Sequence, residues 1–272
     1  MASTGAGYDL SPTTFSNDGR IFQVEYATKA VENSGTTIGI RCSDGVVLGV
    51  EKLLTSKMLL KSSNRRVATL DAHCGLVLCG LAADGRQIVG RARDECSNYD
   101  EVYGDKIPPR VLAARLADYV HYFTIHGALR PFGTASMIAG YDPCTKTHEL
   151  YAVEPSGVCL RYFGCALGKG RQSAKSEIEK LDLSTLTCKD ALREIAKMIH
   201  TVHDESKDKP FALEMAWLTK DTGFEFALVP DDLVQEAEAW AKAKLEEDDD
   251  DDDDDDDAEM TPAPPTDAAS PS

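Results

Sequence analysis

Apolar residues change their spacing several times along this chain, and each change marks an element. After a start rich in Ser, Thr, Gly and Pro, Phe22, Tyr26 and Ala30 recur at i, i+4 and i+8, which is one face of a helix. Ser16, Asn17 and Asp18 offer oxygens suited to a helix N-cap, and Asn33-Ser34-Gly35 ends the pattern. From Thr36 the period shortens. Residues 36–42 and 46–51 are β-rich runs joined by Ser43-Asp44-Gly45, a hairpin turn, and 66–70 with 75–81 make a second pair.

The spacing then returns to helical. Ile88, Ala92, Cys96 and Tyr99 share a face in 84–103, and Leu112, Leu116, Val120 and Phe123 share one in 109–126, behind Pro108-Pro109. Strands are predicted at 134–141, 150–154 and 158–166, with Pro155-Ser156-Gly157 as a turn. Helices follow at 171–181 and 187–204, the second opened by the capping-box-like Thr187-Cys188-Lys189-Asp190. Strands at 211–218 and 224–229 and a last helix at 231–245 complete the order. Strands and helices arriving in separate blocks predict an α+β fold: antiparallel sheets face each other, with helices outside, in a four-layer α-β-β-α sandwich.

Charge divides the chain. The formal net charge is −17, but fourteen of the 46 acids lie in 246–272, where there is no Lys or Arg. The remainder has 32 acids against 29 bases, a charge of −3. Such a body has no cationic excess to release counterions from a phosphate backbone, so nucleic acid is not expected as a partner. The ten aspartates of 248–257 repel one another and carry no apolar surface, which predicts a disordered acidic tail over 246–272. Residues 1–19 read as a mobile N-terminal segment, and 20–245 as one domain.

Eight cysteines without a CxxC pair suit a reducing compartment. His73, Cys74 and Cys79 match no zinc spacing and show no fourth ligand, so no metal and no cofactor are expected. The start has no basic, apolar leader, and no run approaches a membrane span.

The segment FSNDGRIFQVEYATKA at 15–30 resembles the N-terminal signature of proteasome alpha subunits. GTTIGIRCSDGVVLGVEK, LAADGRQIV, RPFG, EPSG and ALGKGRQSAKSEIEKL extend the resemblance over about residues 5–245. GYDLS at 7–11, KAVENSG at 29–35 and the acidic end are similar to the type-3 branch, the seventh ring position. The resemblance implies the N-terminal nucleophile hydrolase sandwich with an extra N-terminal helix. It also implies a non-catalytic part in ubiquitin-dependent and related protein degradation, in cytoplasm and nucleus. The implied partners are the other alpha subunits of a hetero-heptameric ring, the beta subunits beneath it, and a regulatory particle or other activators.

Catalytic relatives of this family free an N-terminal threonine as nucleophile. Gly35-Thr36-Thr37 resembles their cleavage junction, but alignment through Gly45 puts Gly35 at the nucleophile position, Glu51 at the family's aspartate and Leu53 at its arginine. No catalytic residue is therefore expected. The resemblance assigns Tyr8, Asp9 and Tyr26 to contacts that hold gate segments, although the supporting turn proline is Asn17 here. It assigns Arg66, with Gly80 and Leu81, to a pocket for activator tails, where arginine replaces lysine and presents a planar fork. Periodicity alone leaves Tyr26 open between a core aromatic and such a contact. Two other functions remain open at this point: a self-processed threonine peptidase, and an acidic protein that binds basic clients such as histones.

Overall fold

The computed structural model describes residues 7–60, 63–203 and 209–256, with side chains as far as Glu247. Helix α1 (Phe22–Glu32) leads into the hairpin β1 (Thr37–Arg41) and β2 (Gly45–Leu53), followed by β3 (Val67–Asp71) and β4 (Cys74–Gly80). Helices α2 (Ala82–Tyr103) and α3 (Pro109–Tyr122) precede β5 (Thr134–Asp142), β6 (Thr147–Val153), β7 (Cys159–Arg161) and β8 (Gly164–Leu167). The chain ends in α4 (Arg171–Lys180), α5 (Cys188–Val202), β9 (Phe211–Thr219), β10 (Phe226–Leu228) and α6 (Asp231–Asp256).

Two five-stranded antiparallel sheets result, ordered β10-β9-β2-β1-β8 and β3-β4-β5-β6-β7. Each layer boundary holds its own apolar cluster. Ile38, Ile40, Val47 and Trp217 pack against α4, α5 and α6 through Ala174, Ile195, Ile199 and Ala241. Leu76, Ile138 and Tyr151 meet α2 and α3 through Ile88, Leu112 and Leu116. Leu48, Val50, Val77, Met137 and Leu150 fill the space between the sheets. Both faces of the central strands are thus covered, which is why β2 and β4 read as nearly continuous apolar runs rather than alternating ones. The expected four-layer sandwich is present, with α1 lying beside β4 and β5 at one end.

Three local expectations change. Ser16 and Asp18 do not cap α1, whose first residue is preceded by Ile21 without a side-chain cap. Ser16 Oγ instead accepts from the Arg20 N–H at 2.9 Å and donates to Asp18, so these oxygens close a turn of their own before the helix. The strand expected at 158–166 is two strands: β7 pairs with β6 in the second sheet, and β8 pairs with β1 in the first. Periodicity shows that such a run is extended but not which partner each half takes. Helix α3 stops at Tyr122 because the Phe123 and Thr124 N–H groups turn back to Val120 and His121 in i−3 bonds.

The cap of α5 is as expected, with Thr187 Oγ1 accepting from the Asp190 N–H at 3.3 Å. Helix α6 runs past Leu245 to Asp256. Lys244 meets Glu247 at 2.9 Å across one turn; nothing described further along accounts for a helix in the acidic run. Residues 1–6 and 257–272 lie outside the described residues, and with them the outer parts of the N-terminal segment and of the acidic tail.

Candidate functional site

The junction between α1 and β1 is where a threonine peptidase of this architecture would carry its nucleophile. Gly35 leaves no room for a side chain there, since a Cβ would stand 2.2 Å from the Glu51 carbonyl oxygen. Thr36 is fully buried. Its N–H donates to Glu51 Oε2 at 2.8 Å, and its Oγ1 accepts from the Gly170 N–H at 3.2 Å. Glu51 Oε1 in turn lies 2.7 Å from His203 Nδ1, and both side chains are almost entirely buried. The Lys169 N–H closes over the junction by bonding Ser34 O at 3.0 Å. The threonine hydroxyl thus faces a backbone amide rather than a base, and its nitrogen is a peptide nitrogen held by a carboxylate.

Beside this junction a cavity of about 420 Å³ gathers Arg66, Gly80 and Leu81, the three residues expected to form a tail pocket, with Ala30, Ser34 and Gly35 from the end of α1. Arg66 enters from the start of β3, where its N–H donates to Glu214 Oε2 at 2.9 Å. Its guanidinium Nη1 donates to the Gly80 carbonyl at 2.6 Å. That carbonyl is presented by a backbone at φ +112°, where a Cβ would meet Gly133 O at 2.3 Å, so only glycine fits. Loss of hydration pulls the Arg66 pKa below arginine's ordinary value, partly offset by Cys79 and Glu214. Arginine remains charged at any physiological pH. Leu81 is half exposed at the rim.

Tyr8, Asp9 and Tyr26 also come close, on the outer face of α1. Tyr26 Oη donates to Asp9 Oδ2 at 3.4 Å, while Tyr8 Oη donates to Asn17 Oδ1 at 3.3 Å. Tyr26 stays 44% exposed, stacked at 6.2 Å on the buried Phe22, and is not the core aromatic its spacing allows. Loss of hydration and then the Asp9 carboxylate raise its pKa above the ordinary tyrosine value. Gln23 and Asn17 are additions that sequence reading missed as contacts. The Gln23 amide donates to the Asp9 carbonyl, and Asn17, where the family has proline, receives Tyr8. Gln23 stands at i−3 from Tyr26, a spacing that puts two polar ends on one helix face.

The segment that carries these contacts also matches a sequence profile. The N-terminal signature of A-type proteasome subunits covers residues 8–30, and the general profile of proteasome subunits covers 31–218. The chain belongs to the proteasome alpha-subunit family. A spinach (Spinacia oleracea) protein, named as the alpha type-3 subunit of the proteasome, is 57% identical over 245 residues, which is 90% of this chain and 98% of that one. The Arabidopsis thaliana protein of the same name is 55% identical over the same shares. A Saccharomyces cerevisiae protein, named as a probable alpha type-7 subunit of the proteasome, is 45% identical over 90% of this chain and 86% of its own. In alpha-subunit terms, the signature spans the whole Tyr8–Asp9–Tyr26 contact, and the larger profile spans the Arg66 cavity and the Thr36 junction. Among the described residues no helix is long and apolar enough to cross a membrane.

Proposed function

We propose that this chain is a non-catalytic subunit of the proteasome alpha ring. In this reading it is one of seven different alpha subunits, stacked on a beta ring, in cytoplasm and nucleus. Its N-terminal segment helps to gate the axial entrance, and the Arg66 cavity receives a C-terminal tail of a regulatory particle or other activator. One observation carries the absence of catalysis: position 35 has no space for a hydroxyl-bearing side chain, while the Thr36 hydroxyl and N–H are both already engaged. Nucleophilic catalysis needs a free hydroxyl beside a base, and neither is offered here.

The gate reading is supported by the Tyr26–Asp9 contact and by Gln23 holding the Asp9 backbone. These tie a turn-rich segment to α1 by two polar bonds, one exposed and one half-buried, a tether weak enough to release. Deleting residues 2–11 is expected to raise basal hydrolysis of small fluorogenic peptides by the purified particle, with its subunit content unchanged by native mass. Unchanged basal rates in an intact particle would remove the gating role.

Arg66 can serve a tail carboxylate with the guanidinium nitrogens that Gly80 leaves free, because the fork carries five donors. Arg66→Glu is expected to weaken activator binding, since a charge-assisted hydrogen bond contributes about 1.5–3 kcal/mol. Other pockets of the ring dilute the loss through multivalency. Binding titrations at several salt concentrations test this, and affinity indifferent to both the substitution and the salt would reduce Arg66 to a surface charge.

A further inference from the structure

A second cavity, of about 480 Å³, opens between the edge strand β3 and helix α2. Arg65 stands at the entry to β3, and Arg86 and Arg93 stand on α2, while no Asp or Glu lines this space among the described residues. In a chain of formal charge −17 this is a local reversal of sign. Arg86, Gly90 and Arg93 fall at i, i+4 and i+7, one stripe on the helix. A Cβ added at Gly90 would meet nothing within 4 Å, so the stripe is a bare stretch of helix with a guanidinium at each end. At 1.5 Å of rise per residue the two arginines stand roughly 10 Å apart.

Arg93 is held over the strand, with Nε and Nη2 donating to the Thr69 carbonyl at 3.1 and 2.9 Å. Arg65 and Arg86 are exposed, and neither meets a carboxylate among the described residues. Val89 and the half-exposed Leu228 supply an apolar floor.

We propose that this groove is a docking surface for an extended acidic segment of a neighbouring subunit. In a polyproline II conformation, carboxylates at i and i+3 project from one side roughly 9 Å apart, which matches the spacing of Arg86 and Arg93. Intervening apolar side chains then rest on Val89 and Leu228. A phosphate backbone has no use for such a floor, and outside 246–272 the chain has no cationic excess to extend the contact along one. The chain's own aspartate run is carried away. Helix α6 begins at Asp231, beside Leu228, and extends 26 residues, so its far end lies roughly 39 Å from the groove side. That the partner is a ring neighbour rests on the assembly reading above; the chemistry of the groove does not.

The test uses the full chain and a fluorescein-labelled peptide of sequence GPEPVEPG, with its Glu→Gln form as control. Arg86→Gln and, separately, Gly90→Leu are each expected to weaken binding about tenfold or more, equivalent to about 1.4 kcal/mol. The Gln peptide should not bind. Gly90→Leu improves helix propensity, so an unchanged or higher melting temperature confirms that the groove is blocked rather than unfolded. Three results overturn the proposal: no binding or binding indifferent to both variants, equal capture of inorganic polyphosphate with the same sensitivity, or a tenfold gain on removing residues 246–272. In the purified particle, a photo-crosslinking residue at position 90 should capture an acid-bearing segment of another subunit, and capture of a segment without acids overturns the proposal too. A chain that binds the peptide yet never enters a particle breaks the assembly reading and leaves the groove assignment standing.

Discussion

Glu51→Ala is expected to destabilise the isolated chain by roughly 2–6 kcal/mol, the cost of leaving two buried donors without their acceptor. The Glu51 side chain bonds the Thr36 N–H with one oxygen and His203 with the other, in a site closed to water. Alanine leaves both without an acceptor, and each orphaned buried group costs roughly 1–3 kcal/mol. Urea midpoints at fixed protein concentration measure the effect. Glu51→Gln keeps an oxygen for one of the two and should lie between alanine and wild type. A midpoint for Glu51→Ala within error of wild type would show that the pair is not formed in solution.

Gly35→Thr restores a hydroxyl at the nucleophile position, yet it is expected to bring neither self-cleavage nor peptidase activity. The new Cβ meets the Glu51 carbonyl oxygen at 2.2 Å, so β2 or the junction must move. The Gly168 backbone crowds the same place, where a Cβ on Gly168 would stand 2.4 Å from Gly35 O. Overpacking of this kind costs about 1–3 kcal/mol, and contact with backbone rather than a flexible side chain puts it at the upper end. Intact mass, a fluorogenic peptide assay and a melting curve together decide the matter. A variant of wild-type stability that cuts itself or hydrolyses peptides would end the non-catalytic reading.

Much of this molecule is legible in its sequence, and the failures have a common cause. Local periodicity places every helix and every extended run, because amphipathic spacing is a property of neighbouring residues. It cannot place Glu51 with His203, which are 152 residues apart and meet only because the end of α5 packs against β2 from the neighbouring layer. The run from Val158 to Ala166 is read correctly as extended, but β7 and β8 belong to opposite sheets, and pairing is decided by partners far along the chain. Ser16 has the right chemistry for a cap and spends it four residues too early. The Arg66–Gly80–Leu81 grouping is recovered through family resemblance; the basic stripe on α2 is not, because in sequence nothing separates it from any solvated helix face.

The division of strands between the sheets also sets an order of assembly. The chain opens the first sheet with β1 and β2, leaves it, and builds the whole second sheet in one contiguous passage from Val67 to Arg161. Only afterwards does it return, pairing Thr37 with Leu167 and Gly45 with Thr219. A growing chain therefore has the second sheet and its cover helices α2 and α3 available to pack while the first sheet is still a lone hairpin, a unit marginal in water. Until β9 emerges, Val46, Val47 and Leu48 are flanked by β1 on one side only. The half that carries the Thr36 junction is thus the last to close, and a chain cut short before β9 still contains every strand of the second sheet while leaving that junction without its supporting strand.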